Sequence, residues 1–162
     1  MEILSLGIQS IINFISLGVS GKLHLKRGRI NETFRVRGGN YTIFRETVSD
    51  QKTNFKPCVL IVGFRLKIIR SNTFFHWLFE RVCILTTPIW SGFAGFRIKL
   101  WLVDRKTKNY LGIYRYERSK NAKTYADYLT PILRFVSTRE SVWYEIKDQE
   151  FEDYLKVAKQ LP

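Results

Sequence analysis

The chain has 162 residues, which suits one domain with additions, and 45% of them are hydrophobic, which excludes a disordered protein. Its formal net charge of +13 favours an anionic partner, which could be nucleic acid, an anionic membrane surface or an anionic small molecule. Charge alone does not choose among these three classes.

The first 20 residues predict an apolar helix. No charged residue follows Glu2 until Lys22, and apolar residues recur with helical spacing on one face. Interspersed polar residues and glycines argue against a membrane-spanning segment. The helix is expected to pack on its own domain or on a partner subunit. Contact of residues 1–21 with a membrane surface is the alternative, because basic residues follow the helix: Lys22, Lys26, Arg27 and Arg29.

Residues 33–45 predict a β-hairpin around the Gly38-Gly39 pair, which permits the positive φ angles of a two-residue turn. In that register Phe34 faces Ile43 on a covered apolar side. The helix and the hairpin together form a predicted N-terminal extension, residues 1–56. Residues 57–162 form the predicted main domain, which ends in a helix over 149–161.

The main domain follows the order β-α-β-β-α-β, which is typical of a ferredoxin-like α+β fold with an antiparallel sheet. The predicted segments are strand 58–70, helix 72–90, strand 96–104, strand 109–117, helix 119–136 and strand 141–146. The apolar runs that hold Cys58 and Cys83 lack a Cys-x-x-Cys motif or a Cys/His cluster, so we expect two buried thiols and no metal site. Nothing indicates an oxidising compartment, and we predict a cytoplasmic protein, with membrane association left open.

Alternation along the strands predicts that helices cover one face of the sheet. The opposite face would carry a mixed set of charged and aromatic residues: Arg65, Lys67, Arg97, Lys99, Trp101, Tyr114, Trp143 and Glu145. Such a face is too aromatic for bare solvent and too charged for an ordinary core. It predicts a sheet that pairs with a second copy around a ligand, or an open surface that binds single-stranded nucleic acid. Long Lys and Arg stems that cover the aromatics are a third possibility.

Three stretches carry a resemblance to a known family. They are Pro88-Ile-Trp-Ser-Gly-Phe-Ala-Gly-Phe-Arg-Ile-Lys-Leu-Trp101, Gly112-Ile-Tyr-Arg-Tyr116 and Ala122-Lys-Thr-Tyr-Ala126. Over residues 57–147 the chain resembles the dimeric α/β-barrel superfamily, and within it the small bacterial mono-oxygenase-like proteins. The resemblance implies a homodimer that packs sheet to sheet and a small organic ligand. Members include cofactor-free quinone-forming mono-oxygenases and haem-degrading enzymes.

The resemblance names no cofactor for this chain. Haem-degrading members use a histidine in the helix after the third strand, and residues 119–136 contain none. A reaction without a cofactor is therefore one expectation, and whether the chain is an enzyme stays open.

The sequence suggests one catalytic residue, His76, because a histidine pKa near 6.5 suits a proton carrier. In the predicted ligand site two cations hold an anionic oxygen and aromatic rings form the walls; its members are Arg97, Lys99, Trp101, Tyr114 and Trp143. The predicted function is binding, and possible oxidation, of an aromatic or anionic organic molecule. The alternative is a non-enzymatic basic module that binds nucleic acid or an anionic membrane surface, with steep salt dependence.

Overall fold

The computed structural model describes residues 2–50, 56–67, 73–85 and 87–160. The first elements in chain order are α1 (Glu2–Val19), β1 (Leu23–Lys26), β2 (Thr33–Val36), β3 (Gly39–Ser49) and β4 (Cys58–Phe64). The others are α2 (Thr73–Leu85), α3 (Thr87–Ser91), β5 (Phe96–Asp104), β6 (Asn109–Tyr116), α4 (Ser119–Val136), a 3-10 turn (Arg139–Ser141), β7 (Trp143–Lys147) and α5 (Phe151–Gln160). The helix predicted over 72–90 is thus described as two, α2 and α3.

The described strands form one sheet in the order β1-β3-β5-β6-β4-β7, with β2 also paired to β3, and every pair is antiparallel. The path β7-β4-β6-β5, with α2, α3 and α4 in the crossovers, is the ferredoxin-like arrangement, so the predicted fold is confirmed. Because β3 pairs with β5, the hairpin strands continue this sheet. The sheet does not close on itself, and the homodimer stays a prediction.

The predicted hairpin is present, but its turn is Arg37-Gly38 and not Gly38-Gly39. The φ angles of Arg37 and Gly38 are 47° and 77°, and two left-handed residues are what a tight hairpin turn of this kind requires. Phe34 consequently pairs with Tyr41 and not with Ile43, although all three stay buried on one face as expected.

Arg37 shows why this turn forms where it does. Its guanidinium carbon lies 3.8 Å from the centre of the Trp143 ring, and its Nη2 lies 3.7 Å from Glu145 Oε2, both on β7. A left-handed arginine is unfavourable by itself, and these contacts offset that cost. The β2–β3 turn therefore reaches the strand at the far end of the sheet, which means that the sheet is strongly curled.

Both faces of the curled sheet are covered. On one face α4 packs over a core that includes Leu60, Val62 and Tyr116, while on the other α5 packs through Phe151 and Leu155. Both cysteines are buried, as predicted, and no disulfide joins them. The face expected to meet a second copy is therefore occupied by α5 of the same chain.

The predicted orientation of β5 and β6 is wrong, although that of β4 is confirmed. Leu100 and Leu102 lie in the α5 core, whereas Lys99 and Tyr114 lie under α3 and α4. Apolar alternation identifies the helix-covered face only when the opposite face is open, and here both are covered. The predicted helix-free face of cations and aromatic rings, open to a second copy or to nucleic acid, is therefore not found among the described residues.

The close contact between Gly63 on β4 and Trp143 on β7 gives a test of the packing at this end of the sheet. A Cβ at Gly63 would lie 2.4 Å from the Trp143 ring, so Gly63→Ala must displace the ring and should lower the free energy of unfolding by about 1–3 kcal/mol. The matched control is Gly18→Ala in α1, where a Cβ meets nothing within 4 Å and helix propensity predicts a small gain. Urea unfolding of both variants measures the difference, and equal stabilities would contradict this packing.

Candidate functional site

The candidate site is an enclosed amine surrounded by aromatic rings, which we call the Lys99 cluster: Trp90, Lys99, Trp101, Tyr114 and Tyr125. Lys99 is only 3% exposed. Its Nζ lies 3.1 Å from the centre of the Trp101 ring, 4.8 Å from that of Tyr114 and 5.6 Å from that of Trp90. An ammonium group is attracted by ring faces at these distances, so the cluster is built around a positive charge.

A short hydrogen-bond chain leads away from the amine. Lys99 Nζ donates to Tyr125 Oη at 3.5 Å, and the Tyr125 hydroxyl donates to Tyr114 Oη at 3.0 Å. Burial raises the pKa of both phenols above the ordinary value of 10.0, so both stay protonated at neutral pH. The chain can therefore orient a hydroxyl or oxyanion beside the amine.

Local sequence explains how these groups meet. Lys99 on β5 pairs with Tyr114 on β6, and Trp101 pairs with Gly112. Gly112 has no side chain, and the Tyr114 ring lies over it, since a Cβ there would be 2.7 Å from that ring. This leaves the face of Trp101 free to meet the amine. Trp90 from α3 closes the cluster from the helix layer.

A second cation faces the same layer. Arg45 on β3 pairs with Trp101 on β5, so their side chains leave the sheet on the same side. Burial lowers the pKa of Lys99 well below 10.5, and the positive charge of Arg45 adds to that effect. Burial also lowers the pKa of Arg45. Within the described ranges neither cation makes an ion pair with a carboxylate, so an incoming anion would find two uncompensated donors.

Cys83 on α2 lies near both cations, whose charge acts on it. Burial raises the pKa of its thiol to about 12, against the smaller opposing effects of Lys99 and Arg45. The thiol therefore stays protonated at neutral pH and does not supply the missing negative charge.

Unsatisfied polar atoms point to the same place. Trp101 Nε1, Arg45 Nε and Thr47 Oγ1 are buried, and none of them has a hydrogen-bond partner among the described residues. Thr47 pairs with Lys99 across β3 and β5, so it shares their side of the sheet. A buried donor without a partner costs about 1–3 kcal/mol. Three of them beside a buried amine suit a ligand that carries oxygen atoms.

The structure brings together three of the residues predicted from sequence, Lys99, Trp101 and Tyr114. It does not bring Arg97 there, because this buried guanidinium pairs with Glu117. Trp143 lies on the opposite face in the α5 core. His76 belongs to α2, but its side chain lies outside the described part of the structure, and its catalytic role stays a prediction.

Sequence reasoning missed Trp90, Tyr125 and Arg45. Tyr125 lies on the buried side of α4, but nothing in the local sequence marks a hydroxyl that meets a lysine. Arg45 ends the predicted hairpin, and no local signal marks it as a site residue. Only the pairing of β3 with β5 places it beside Trp101.

Among the described residues no group of three or more His, Cys, Asp or Glu side chains is placed to hold a metal ion. Within the same ranges no helix is long and apolar enough to cross a membrane.

No protein-family profile and no curated protein sequence matches this chain. Among solved structures, a major regulator of staphylococcal pathogenesis superposes with a TM-score of 0.51 at 12% identity, over 88% of this chain and 91% of that one. An uncharacterized ferredoxin-fold protein from Listeria monocytogenes, related to antibiotic biosynthesis monooxygenases, gives 0.48 at 12% identity over 74% of this chain and 70% of that one. A proposed monooxygenase from Fusobacterium nucleatum gives 0.43 at 9% identity over 68% and 49%.

The likeness to the staphylococcal regulator, at 12% identity, supports a common fold and nothing about a reaction. The strand order confirms the ferredoxin-like fold that the resemblance implied.

The buried amine gives a prediction about stability. Lys99→Met keeps a similar shape without a charge, so it should raise the free energy of unfolding at pH 7 by about 1–4 kcal/mol. The folded pKa of Lys99 lies below 10.5, so the unfolded chain binds more protons between these values and stability rises with pH there. The advantage of the variant should thus be full below the folded pKa and vanish as the pH passes 10.5.

Denaturant unfolding at a series of pH values measures this difference. Lys106→Met, at an exposed lysine in the β5–β6 turn, is the control and should leave the pH slope unchanged. An advantage for Lys99→Met that stays constant up to high pH would show that Lys99 is not a buried amine.

Proposed function

We propose that this protein binds a small aromatic molecule with an acidic hydroxyl or other oxygen group in the Lys99 cluster. The observation that carries the proposal is the buried Lys99 amine, enclosed by rings and paired with no carboxylate among the described residues. Apolar side chains with a few converging polar groups usually line a small-molecule site, and the Lys99 cluster has that composition. The +13 net charge would favour the approach of an anionic ligand.

Each member of the site has a role in this proposal. Trp90 would stack on the ligand ring, and Trp101 Nε1 would donate to a ligand oxygen. Lys99, with its lowered pKa, would accept the proton of a phenol or enol and then hold the anion as an ammonium group. Arg45 would supply a second positive charge from β3.

The proposed reaction class is cofactor-free mono-oxygenation. An activated ring CH2 group reacts with O2, so that one oxygen atom becomes the new carbonyl and the other leaves as water. The two hydrogens of the CH2 group end in that water, the first passing through Lys99 Nζ. The substrate itself supplies the electrons, and no other reductant takes part. Removing the proton in a pocket that holds the resulting anion is the step that this site would accelerate.

Binding can be tested with 1-hydroxy-2-naphthoate as the probe, by isothermal calorimetry at pH 7. Lys99→Met should weaken binding at least about tenfold, because a charge-assisted contact in a dry site is worth about 1.5–3 kcal/mol. Lys106→Met controls for the loss of one positive charge. Equal affinities for the two variants would overturn the assignment of the site.

Oxidation needs its own measurement. With anthrone as the substrate, an oxygen electrode should record one O2 consumed for each anthraquinone formed, and Lys99→Met should slow this uptake at least about a hundredfold. Probe binding without any O2 uptake above the uncatalysed rate would reject the mono-oxygenase and leave a binding protein.

A further inference from the structure

Polar and small residues of helix α1 make its close contacts with the rest of the protein. Ser10 is almost completely buried, and Asn13 Nδ2 donates to the carbonyl oxygen of Gly92 at 3.1 Å. The approach is close, since a Cβ at Gly92 would lie 1.7 Å from the Ser10 carbonyl oxygen, and one at Gly7 would lie 2.8 Å from Tyr128 Oη. Small and polar residues therefore fix the helix in place.

The outer side of α1 is apolar. Side chains at helical spacing form one outward stripe, with between 40% and 87% of each exposed: Ile8, Ile11, Ile12, Ile15 and Val19. A surface helix normally places such a stripe on its own domain and turns polar groups to water. The reversed orientation leaves a row of β-branched aliphatics on the surface, which marks an interaction face.

A second exposed apolar row lies on a nearby helix. Both α1 and α2 pack against α3, and α2 exposes Phe74, Trp77 and Val82. Aromatic residues of this kind are common where proteins meet the boundary between lipid headgroups and acyl chains.

The charge beside the stripe is positive. Between Ile3 and Gly21 the chain has no charged residue, and Lys22, Lys26 and Arg27 follow. These three are exposed and make no ion pair with any other described residue. The nearest acidic groups are engaged, since Asp50 Oδ2 lies 2.8 Å from His24 Nε2 and Glu46 pairs with Arg29.

We propose that α1 docks on an anionic lipid surface, with its isoleucine stripe in the interface and the basic residues that follow it against the headgroups. An in-plane helix with a strong apolar face and flanking lysines is suited to this position. A second copy of this chain would offer the same positive charge, and α1 has no acidic residue after Glu2 to meet it. An anionic bilayer offers the opposite charge as well as an apolar layer.

The test is flotation of the full chain with vesicles of phosphatidylcholine that contain about one third phosphatidylglycerol. Wild-type protein should float with these vesicles and much less with pure phosphatidylcholine. The double variant I12D/I15D should lower the partition coefficient at least about tenfold, because two aliphatic side chains leave the interface. Val157→Asp is the matched control, because Val157 is an aliphatic residue of similar exposure on α5, across the sheet.

The charge contribution is tested separately. The variant K22E/K26E should reduce binding at least about fivefold, and raising the salt concentration should reduce wild-type binding, whereas Lys106→Glu on the distant β5–β6 turn should have little effect. Partition that is the same for wild type, I12D/I15D and K22E/K26E would overturn the proposal.

Light scattering tests the alternative that a second copy of this chain binds the stripe. A wild-type dimer that becomes a monomer in I12D/I15D, with no vesicle binding by either, would assign the stripe to a second copy and also overturn the proposal. The circular dichroism spectrum of I12D/I15D should match that of the wild type. This shows that the variant is folded and keeps the result independent of the proposed ligand site.

Discussion

The main constraint on this structure is an amine held among aromatic rings between a sheet and its helices. Lys99 lies in the position where a ferredoxin-like fold ordinarily places a core aliphatic residue. The surrounding rings lower the cost of that burial by cation–π attraction, but they do not supply a negative charge. The fold therefore tolerates an unfavourable group at its centre. Strain of this kind usually accompanies function, because a purely structural core would replace the lysine with an apolar side chain.

The bounds of helices and strands could be predicted better than the face of the sheet on which each strand residue lies. The bounds of β5, β6 and α4 follow almost directly from alternation, turn residues and a helical stripe, because these are local signals. The orientation of β5 could not be obtained in that way. It depends on whether α5 covers the second face. This is decided by packing between residues far apart in sequence, which places Phe151 of α5 in the same core cluster as Leu100 of β5.

The site residues show the same difference between what local sequence predicts and what long-range packing decides. Lys99, Trp101 and Tyr114 belong to an unusual mixture of charged and aromatic residues in the sequence, and the structure places these three together, although on the other face of the sheet. Arg97 and Trp143 shared the pattern but lie elsewhere: an extra residue in β5 next to Phe96 shifts the pairing at Arg97, and the parity of β7 sends Trp143 to the α5 side. Alternation with a period of two residues does not reveal a β-bulge, because the bulge adds one residue and shifts the pairing.

The contact between α1 and the segment after α3 has an evolutionary consequence. The Ser10 carbonyl lies where the first side-chain carbon of any residue other than glycine at position 92 would be. Glycine at 92 and the leading helix should therefore be inherited together across homologous chains. A homologue with a larger residue at that position would be expected to have lost the helix or to seat it elsewhere, which would make this single site a marker for the surface that the helix creates.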